Sequence, residues 1–475
     1  MPITKIYGPP GTGKTTKLLA LLEDHLKAGV APGDIAFVSF TKNAANEAKQ
    51  RAADKFEDYT WSDFYNFRTL HSFCYSQLNI NRGSMFGFDN LKEFSKMMGL
   101  DLKLKQVVDE GLESMSIHDR LFHVVGLSRA RMQSLESLHG ELEDGDLDLK
   151  ELRRIYDGYE NYKKQRQVLD FTDLLYQQNE SGFFSSFKVL FVDEAQDLSK
   201  IQWQLVTKLA EKAETTYIAG DDDQAIHAWA GADVASLLEF PGEVEILRQS
   251  YRIPKKVHEL AEEIIQRVQV RQEKEFQPKN EHGNVSWAYD ITNGFNNVSY
   301  LLLARNGYKL KEYQELCMRE AVPFILKGKR YIPEDLVEAI TTWECYRSGK
   351  DYNQTKLPLV NEYMSKKQKT RGSITSLAWF DAFDKLGEQQ KEFVRACRRN
   401  NQPIIEQPKI RIETIHGSKG AEADHVVLSD AVSAKTYKEQ QKNADNEHRV
   451  FYVGVTRAKQ SLTIFESESR YKYEF

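Results

Sequence analysis

The chain reads as an α/β protein of two parallel-sheet lobes interrupted by two mainly helical insertions. Three observations predict this. A short apolar strand runs into a glycine-rich loop and a leucine-bearing helix at the amino terminus, further buried-strand signals recur at wide spacing, and residues 79–165 and 341–404 lack them. At 475 residues the chain exceeds one ordinary core, so about two to four domains are expected.

Taken in order, Ile3 to Tyr7 is the first strand, and Thr15 to Leu26 places leucines at helical spacing, which opens a parallel sheet. Ile35 to Phe40 and Phe187 to Val192 carry the next buried-strand signals. Between them, residues 79–165 alternate helical patterns with an acidic, glycine-containing stretch from His139 to Asp148 and read as an insertion. A second sheet begins near Val285. Its strand candidates are Val298 to Ala304, Ile410 to Ile415, His425 to Leu428 and Ser461 to Phe465, with helices such as Leu310 to Glu320 between them. Residues 341–404 form a second, polar insertion with a basic run, Lys366, Lys367, Lys369 and Arg371, which is either a solvated loop or a contact for duplex or a partner. The expected organisation is a first lobe of 1–78 and 166–250, an insertion of 79–165, a second lobe of 251–340 and 405–475, and a reduced insertion of 341–404. No internal sequence repeat is visible.

Composition excludes several classes. A hydrophobic fraction of 41% and a charged fraction of 28% are those of a soluble globular protein. No apolar stretch approaches the roughly 20 residues that span a bilayer, so no membrane partner is expected. The glycine-rich loop is reached by Gly8, leaving no room for a signal peptide, and secretion is not expected. Cys74, Cys317, Cys345 and Cys397 lie far apart without a Cys-x-x-Cys pair, which argues against disulfides and zinc and fits a reducing cytoplasm. Sixty-five basic against 70 acidic residues give a net charge of −5, so any nucleic acid must be held by a local groove and not by overall charge.

Gly8-Pro9-Pro10-Gly11-Thr12-Gly13-Lys14-Thr15 satisfies the phosphate-loop pattern, in which glycines let backbone N–H groups converge on phosphates at a helix N-terminus. Lys14 is the candidate for the β and γ phosphates and Thr15 for Mg2+, with Thr16 next to them. A chance glycine-rich turn is the alternative, and the preceding strand and following helix speak against it. Val189 to Val192 then delivers Asp193, a second metal ligand, and Glu194, which orients or deprotonates an attacking water. Alone, that strand end could equally be a helix cap. ATP and Mg2+ are the expected cofactors.

Asp193-Glu194-Ala195-Gln196-Asp197 resembles the DExxQ/D signature of superfamily 1 helicases, and further blocks follow in that family's order. Phe40 to Glu47 and Thr69 to Phe73 are similar to two motifs that line a single-strand path, Gly220 to Trp229 to the motif joining nucleotide to DNA, and Leu247 to Arg252, Thr414 to Glu422 and Phe451 to Lys459 to the last three. Leu169 to Leu175 looks like a segment of the UvrD/Rep branch, although a local helix of charge and leucine remains possible there. The resemblance implies two RecA-like lobes, a nucleotide in the cleft between them, and a 3′-to-5′ motor on single-stranded DNA and its junctions with duplex. It also implies cationic side chains from the second lobe, Arg252 and Arg457, which offset charge building on the transferred phosphoryl group. Gln224 reports the γ phosphate to the DNA path, Tyr251 stacks on the base, and Glu422 sits near the nucleotide. For DNA the candidates are Phe40, Thr41, Asn43, His71, Phe73, Trp229, Thr414 and His416, with Trp229 the leading stacking platform and Phe73 equally readable as core.

The match departs from the family in places. Only seven residues precede Gly8, where relatives carry a glutamine-bearing adenine reader, and Trp229-Ala230-Gly231-Ala232 lacks the usual arginine. Ala421-Glu422-Ala423 replaces Leu-Glu-Phe, and the second insertion is short, which suits a minimal or virus-encoded helicase in a bacterial or infected cell. Replication or recombination proteins are the expected protein partners. Three functions compete: a DNA helicase, a translocase that strips proteins from DNA, and a P-loop ATPase that remodels proteins. DNA-stimulated turnover and strand displacement separate them.

Overall fold

The computed structural model describes residues 2–102, 115–143, 145–290, 295, 298–369 and 376–475. Arg371 of the basic run lies outside these residues, as do 103–114 and 144 within the first insertion. The chain forms two compact units, Met1–His282 with Lys438–Thr456, and Gly283–Tyr437 with Arg457–Phe475. The first unit therefore continues past residue 250, where the sequence suggested a lobe boundary, because residues 250 and 251 bond to the phosphate loop.

In the first unit, strands β1 (Ile3–Tyr7), β2 (Ile35–Ser39), β3 (Phe67–Thr69), β4 (Phe187–Asp193), β5 (Ala213–Gly220) and β6 (Glu243–Ile246) form one sheet in the order β3-β2-β4-β5-β1-β6. Every pairing in it is parallel. Such a sheet must be covered on both faces, which explains the unbroken apolar runs of β2 and β4. One face buries Leu18, Leu22, Phe37 and Phe191, and the other Val38, Leu190, Val192, Trp203 and Leu205. All six strands run the same way, so their C-terminal ends deliver the phosphate loop, Asp193 and Gly220 to one edge of the sheet, where ligands of open α/β sheets bind.

The 79–165 insertion is helical among its described residues, with helices Phe88–Met98, Ile117–Ala130, Leu135–Leu142 and Leu149–Arg166 around Phe94, Val124, Leu152 and Ile155. Leu169 to Leu175 resolves into a loop ending in Asp170, which caps the helix Phe171–Ser181. Asp170 and Asp173 also receive Arg129 and Lys163 from the insertion's helices, fastening it to the sheet-bearing core.

The second unit has its own sheet of β7 (Asn284–Ala288), β8 (Tyr300–Ala304), β9 (Phe324–Leu326), β10 (Lys329–Arg330), β11 (Ile410–Thr414), β12 (Ala423–Ser429) and β13 (Ala458–Phe465). Their order is β10-β9-β11-β8-β12-β13-β7, parallel except for the β10–β9 hairpin. Among the described residues of 341–404 only helices occur, including Leu357–Glu362 and Glu388–Arg399, and their apolar faces join the core of this sheet through Phe393, Val394 and Cys397. Lys366, Lys367 and Lys369 lie on a one-turn helix, not a loop. No helix of the described residues is long and apolar enough to cross a membrane.

Candidate nucleotide site and nucleic-acid interface

The loop from Gly8 to Thr15 joins β1 to the helix Lys14–Lys27. The Gly8 N–H donates to Gly220 O at 3.0 Å, and Thr12 folds back on Pro9 O through its hydroxyl at 2.8 Å. Gly11 (φ 75°) and Gly13 (φ 82°) adopt the left-handed conformation that side chains disfavour. A Cβ at Gly11 would lie 2.4 Å from Arg252 Cβ, and one at Gly8 would lie 2.1 Å from Lys14 Cγ, so both positions need glycine. Pro9, Pro10 and Thr12 are buried in the loop, and Thr16 is exposed on the first helical turn.

Gly13 caps this helix without a side-chain acceptor, leaving the first-turn amides for an anion. Lys14 Nζ donates to Gly8 O at 2.8 Å, and Thr15 Oγ1 lies 3.4 Å from Asp193 Oδ2. Burial and the neighbouring Glu194 push the Asp193 carboxyl up to about 7, against the pull of Lys14. A buried carboxylate beside a hydroxyl and a phosphate loop fits Mg2+, which takes one or two protein oxygens and completes its shell with phosphates and water. No cluster of three His, Cys, Asp or Glu suited to a metal occurs among the described residues, so this pair would hold it in company with a nucleotide. Glu194 sits in a left-handed backbone conformation (φ 52°) just past β4, and its Oε2 accepts from Gln196 Nε2 at 2.5 Å.

Arg252 and Tyr251 require a correction. The resemblance brings them from the second lobe, whereas here they belong to the first unit. The Ser250 hydroxyl donates to Pro10 O at 2.8 Å and the Tyr251 N–H to Gly11 O at 2.9 Å, which seats Arg252 against Gly11. Tyr251 is 75% exposed and open to a planar ligand. Gln224 lies on the turn Asp222–Gln224 and donates to Asp221 Oδ2 at 2.6 Å. Arg457 and Glu422 belong to the second unit, where Arg457 is buried and donates to Ala421 O at 3.4 Å.

The DNA candidates divide. Phe40, at the end of β2, stacks on His227 with centroids 6.0 Å apart, His227 meets Trp229 edge-on at 6.2 Å, and Trp229 stacks on His123 at 6.1 Å. The four rings are half-buried, so each keeps part of its surface open to solvent. His71 is also half-buried and meets the exposed Phe171 edge-on at 5.7 Å, with burial holding its imidazole below the ordinary pKa. Asn43 is exposed, and Thr41 caps the following helix by accepting from Ala44 N–H at 3.1 Å. Phe73 is the core alternative: it is 1% exposed and packs on Phe187, so it offers no ring to a base. Thr414 and His416 are buried in the second unit, and the Thr414 hydroxyl is engaged by Gly417 N–H at 3.0 Å. That corrects their assignment as open DNA contacts.

Several residues of this site escaped the sequence reading. His123 and His227 complete the ring row, and Arg271, Lys274 and Arg449 surround the Asp221 turn. Three consecutive aspartates were a usable signal, since burying them demands cations, but nothing in the sequence says which basic residues answer.

Comparison with known proteins identifies the family. Residues 3–245 match the UvrD/REP helicase N-terminal domain and residues 332–469 the UvrD-like helicase C-terminal domain. The chain belongs to the UvrD/REP helicase family. It is 26% identical over 344 residues to the ATP-dependent DNA helicase PcrA of Staphylococcus aureus, covering 66% of this chain and 45% of that protein. A probable DNA helicase II homolog of Rickettsia conorii is 24% identical over 607 residues, covering 97% of this chain and 89% of its own. The chain thus spans about half the length of the PcrA relatives it matches. The structure of a PRRSV helicase superposes over 98% of this chain and 52% of its own, at a TM-score of 0.35 and 11% identity, too slight a likeness to add to the assignment.

Proposed function

We propose that this UvrD/REP family chain is an ATP-dependent, single-strand-stimulated DNA helicase that moves 3′ to 5′. The observation that carries the reading is continuity: one stretch, 220–229, begins at the Gly8 amide and at Gln196, which bonds Glu194, and ends at the half-buried Trp229 ring. Nucleotide binding and base stacking therefore act on the two ends of ten residues. In this reading the loop amides and Lys14 hold the phosphates, Thr15 and Asp193 hold Mg2+, and Glu194 orients the attacking water. The bound metal supplies charge neutralisation at the phosphates. Arg252 offsets charge that builds on the transferred group, and Tyr251 stacks on the base. Arg457 and Glu422 are assigned their nucleotide roles by family likeness, and the cytoplasm of a bacterial or infected cell is the proposed setting.

A translocase that displaces proteins but unwinds poorly is the second reading, favoured by the small second insertion. ATP turnover with and without oligothymidylate, beside displacement from 3′- and 5′-tailed duplexes, tests both. Stimulated turnover with unwinding from 3′ tails is expected. Stimulation without unwinding supports the second reading, unwinding only from 5′ tails rejects the polarity, and turnover indifferent to DNA rejects both readings.

A further inference from the structure

Asp221, Asp222 and Asp223 are 0%, 0% and 1% exposed, on the turn that carries Gln224. Three adjacent carboxylates can be buried only if cations and hydrogen-bond donors answer them. The answer comes from one segment about fifty residues downstream. Lys274 Nζ, itself buried, contacts Asp222 Oδ1, lies 2.9 Å from Asp223 Oδ2 and 3.4 Å from Asp221 Oδ1. Arg271 forks onto Asp223 with bonds of 2.8 and 2.6 Å, and the Gln272 N–H donates to Asp222 Oδ2 at 2.8 Å. Arg449 spans both pieces, donating to Asp222 O at 3.0 Å and to Val270 O at 2.5 Å.

The turn does not end at these ion pairs. Gln196 Oε1 accepts the Asp221 N–H at 2.9 Å, while its Nε2 donates to Glu194 Oε2. A primary amide offers a donor on one side and an acceptor on the other, so these two contacts fix which way this glutamine faces. A path of hydrogen bonds and ion pairs therefore runs from the carboxylate expected to orient water, through Gln196 and the Asp221 to Asp223 turn, to Lys274 and Arg271.

We propose that Lys274 and Arg271 are positioning residues for ATP hydrolysis, holding the 221–224 turn so that Gln196 aims Glu194 and Gln224 stays bonded to Asp221. The inference rests on the ATPase reading above. Neither residue touches nucleotide, and their effect falls on the chemical step and not on binding. Losing the path leaves Glu194 free to rotate while the loop that grips phosphates is untouched.

The test is steady-state ATP turnover by the full chain with Mg2+ and saturating oligothymidylate. Lys274→Met alone leaves Asp221 and Asp222 without their buried cation and threatens folding, so it is paired as Lys274→Met/Asp222→Asn, which removes the lysine together with the carboxylate nearest it. Arg271→Gln, at the edge of the cluster, is the second variant, and Arg271→Lys the conservative one. Expected are kcat reduced tenfold or more in the double variant and threefold or more in Arg271→Gln, KM for ATP within twofold, and partial recovery in Arg271→Lys. Unchanged kcat in Arg271→Gln overturns the proposal. So does a rise in KM that parallels the loss of kcat and of thermal stability, which is the signature of a merely structural role. A wild-type chain without ATPase activity instead refutes the functional reading on which the proposal stands.

Discussion

Replacing Asp170 with Asn tests how the helical insertion is fastened. The Asp170 carboxylate accepts the Asp173 N–H at 2.8 Å, the Tyr159 hydroxyl at 2.8 Å and Lys163 Nζ at 3.1 Å, and it pairs with Arg129. Burial disfavours its charge, yet Arg129 and then Lys163 hold the carboxyl down at about 2. Against an ordinary value of ~3.9, that difference contributes roughly 2 to 3 kcal/mol at pH 7. Because the folded pKa is depressed, this stability is present above the unfolded value and is lost as pH falls from ~4 through about 2. Asn keeps the Oδ1 helix cap and nearly the same volume, while the charge is lost and an NH2 group replaces the oxygen that accepts from Arg129, Lys163 and the Tyr159 hydroxyl. The variant should be ~2 to 3 kcal/mol less stable at pH 7, with about half that deficit left at pH 3. Urea titrations of both chains at pH 7, 5, 4 and 3, followed by hydrogen exchange in the helices Leu149–Arg166 and Phe171–Ser181, read it directly. A deficit that stays constant down to pH 3 would refute the electrostatic account.

Gly11→Ala places a methyl 2.4 Å from Arg252 Cβ on a left-handed backbone, so the KM for ATP should rise tenfold or more while the melting temperature moves by only a few degrees; an unchanged KM counts against the loop geometry. The raised Asp193 carboxyl, near 7, favours the folded state most below its unfolded value and loses that contribution as pH rises through about 7, whereas Mg2+ requires the ionised form. Mg2+ affinity in the presence of nucleotide, read by thermal shift, should therefore climb about tenfold from pH 6 to 8 and flatten in Asp193→Asn; equal pH slopes in both chains would sink the assignment. Trp229→Ala should lower DNA-stimulated turnover more than basal turnover, and equal losses in the two rates would remove Trp229 from the DNA path.

The fold was legible wherever burial wrote a continuous signal. β1 matches the expected Ile3 to Tyr7, and β2, β4, β8, β11, β12 and β13 all appear where apolar runs placed them. β5 escaped because Ala213–Gly220 carries Glu214, Thr215 and Thr216 and reads as half-polar, although it sits between β4 and β1 at the centre of the sheet. β3, β6, β9 and β10 are two to four residues long, too short for a period to show. In the site, motif residues acting through backbone geometry were legible, since glycines at 11 and 13 leave little else that fits. Side chains that answer a buried charge from about fifty residues away were not. Arg271 and Lys274 stand in a charged run that resembles any solvated surface.

The departure at Ala230 shows how the same problem is met from elsewhere in the fold. The family pattern that the sequence resembles carries an arginine at this position, where this chain has alanine. In the structure the Arg131 guanidinium donates to Ala228 O at 2.9 Å, and His123 Nε2 lies 3.0 Å from Trp229 O. His123 comes from the middle of the helix Ile117–Ala130 and Arg131 from its C-cap, and the last turn also abuts Gly231 so closely that a Cβ there would lie 3.2 Å from Ala130 Cβ. Burial holds the His123 imidazole below its ordinary pKa, so it stays neutral beside Arg131. The Trp229 turn is thus gripped through its carbonyls by the inserted helix, and that helix is bolted to the core by Arg129 on Asp170 and Asp173. A backbone carbonyl is present whatever residue occupies 230, and this is why an alanine there still leaves the Trp229 turn held in place.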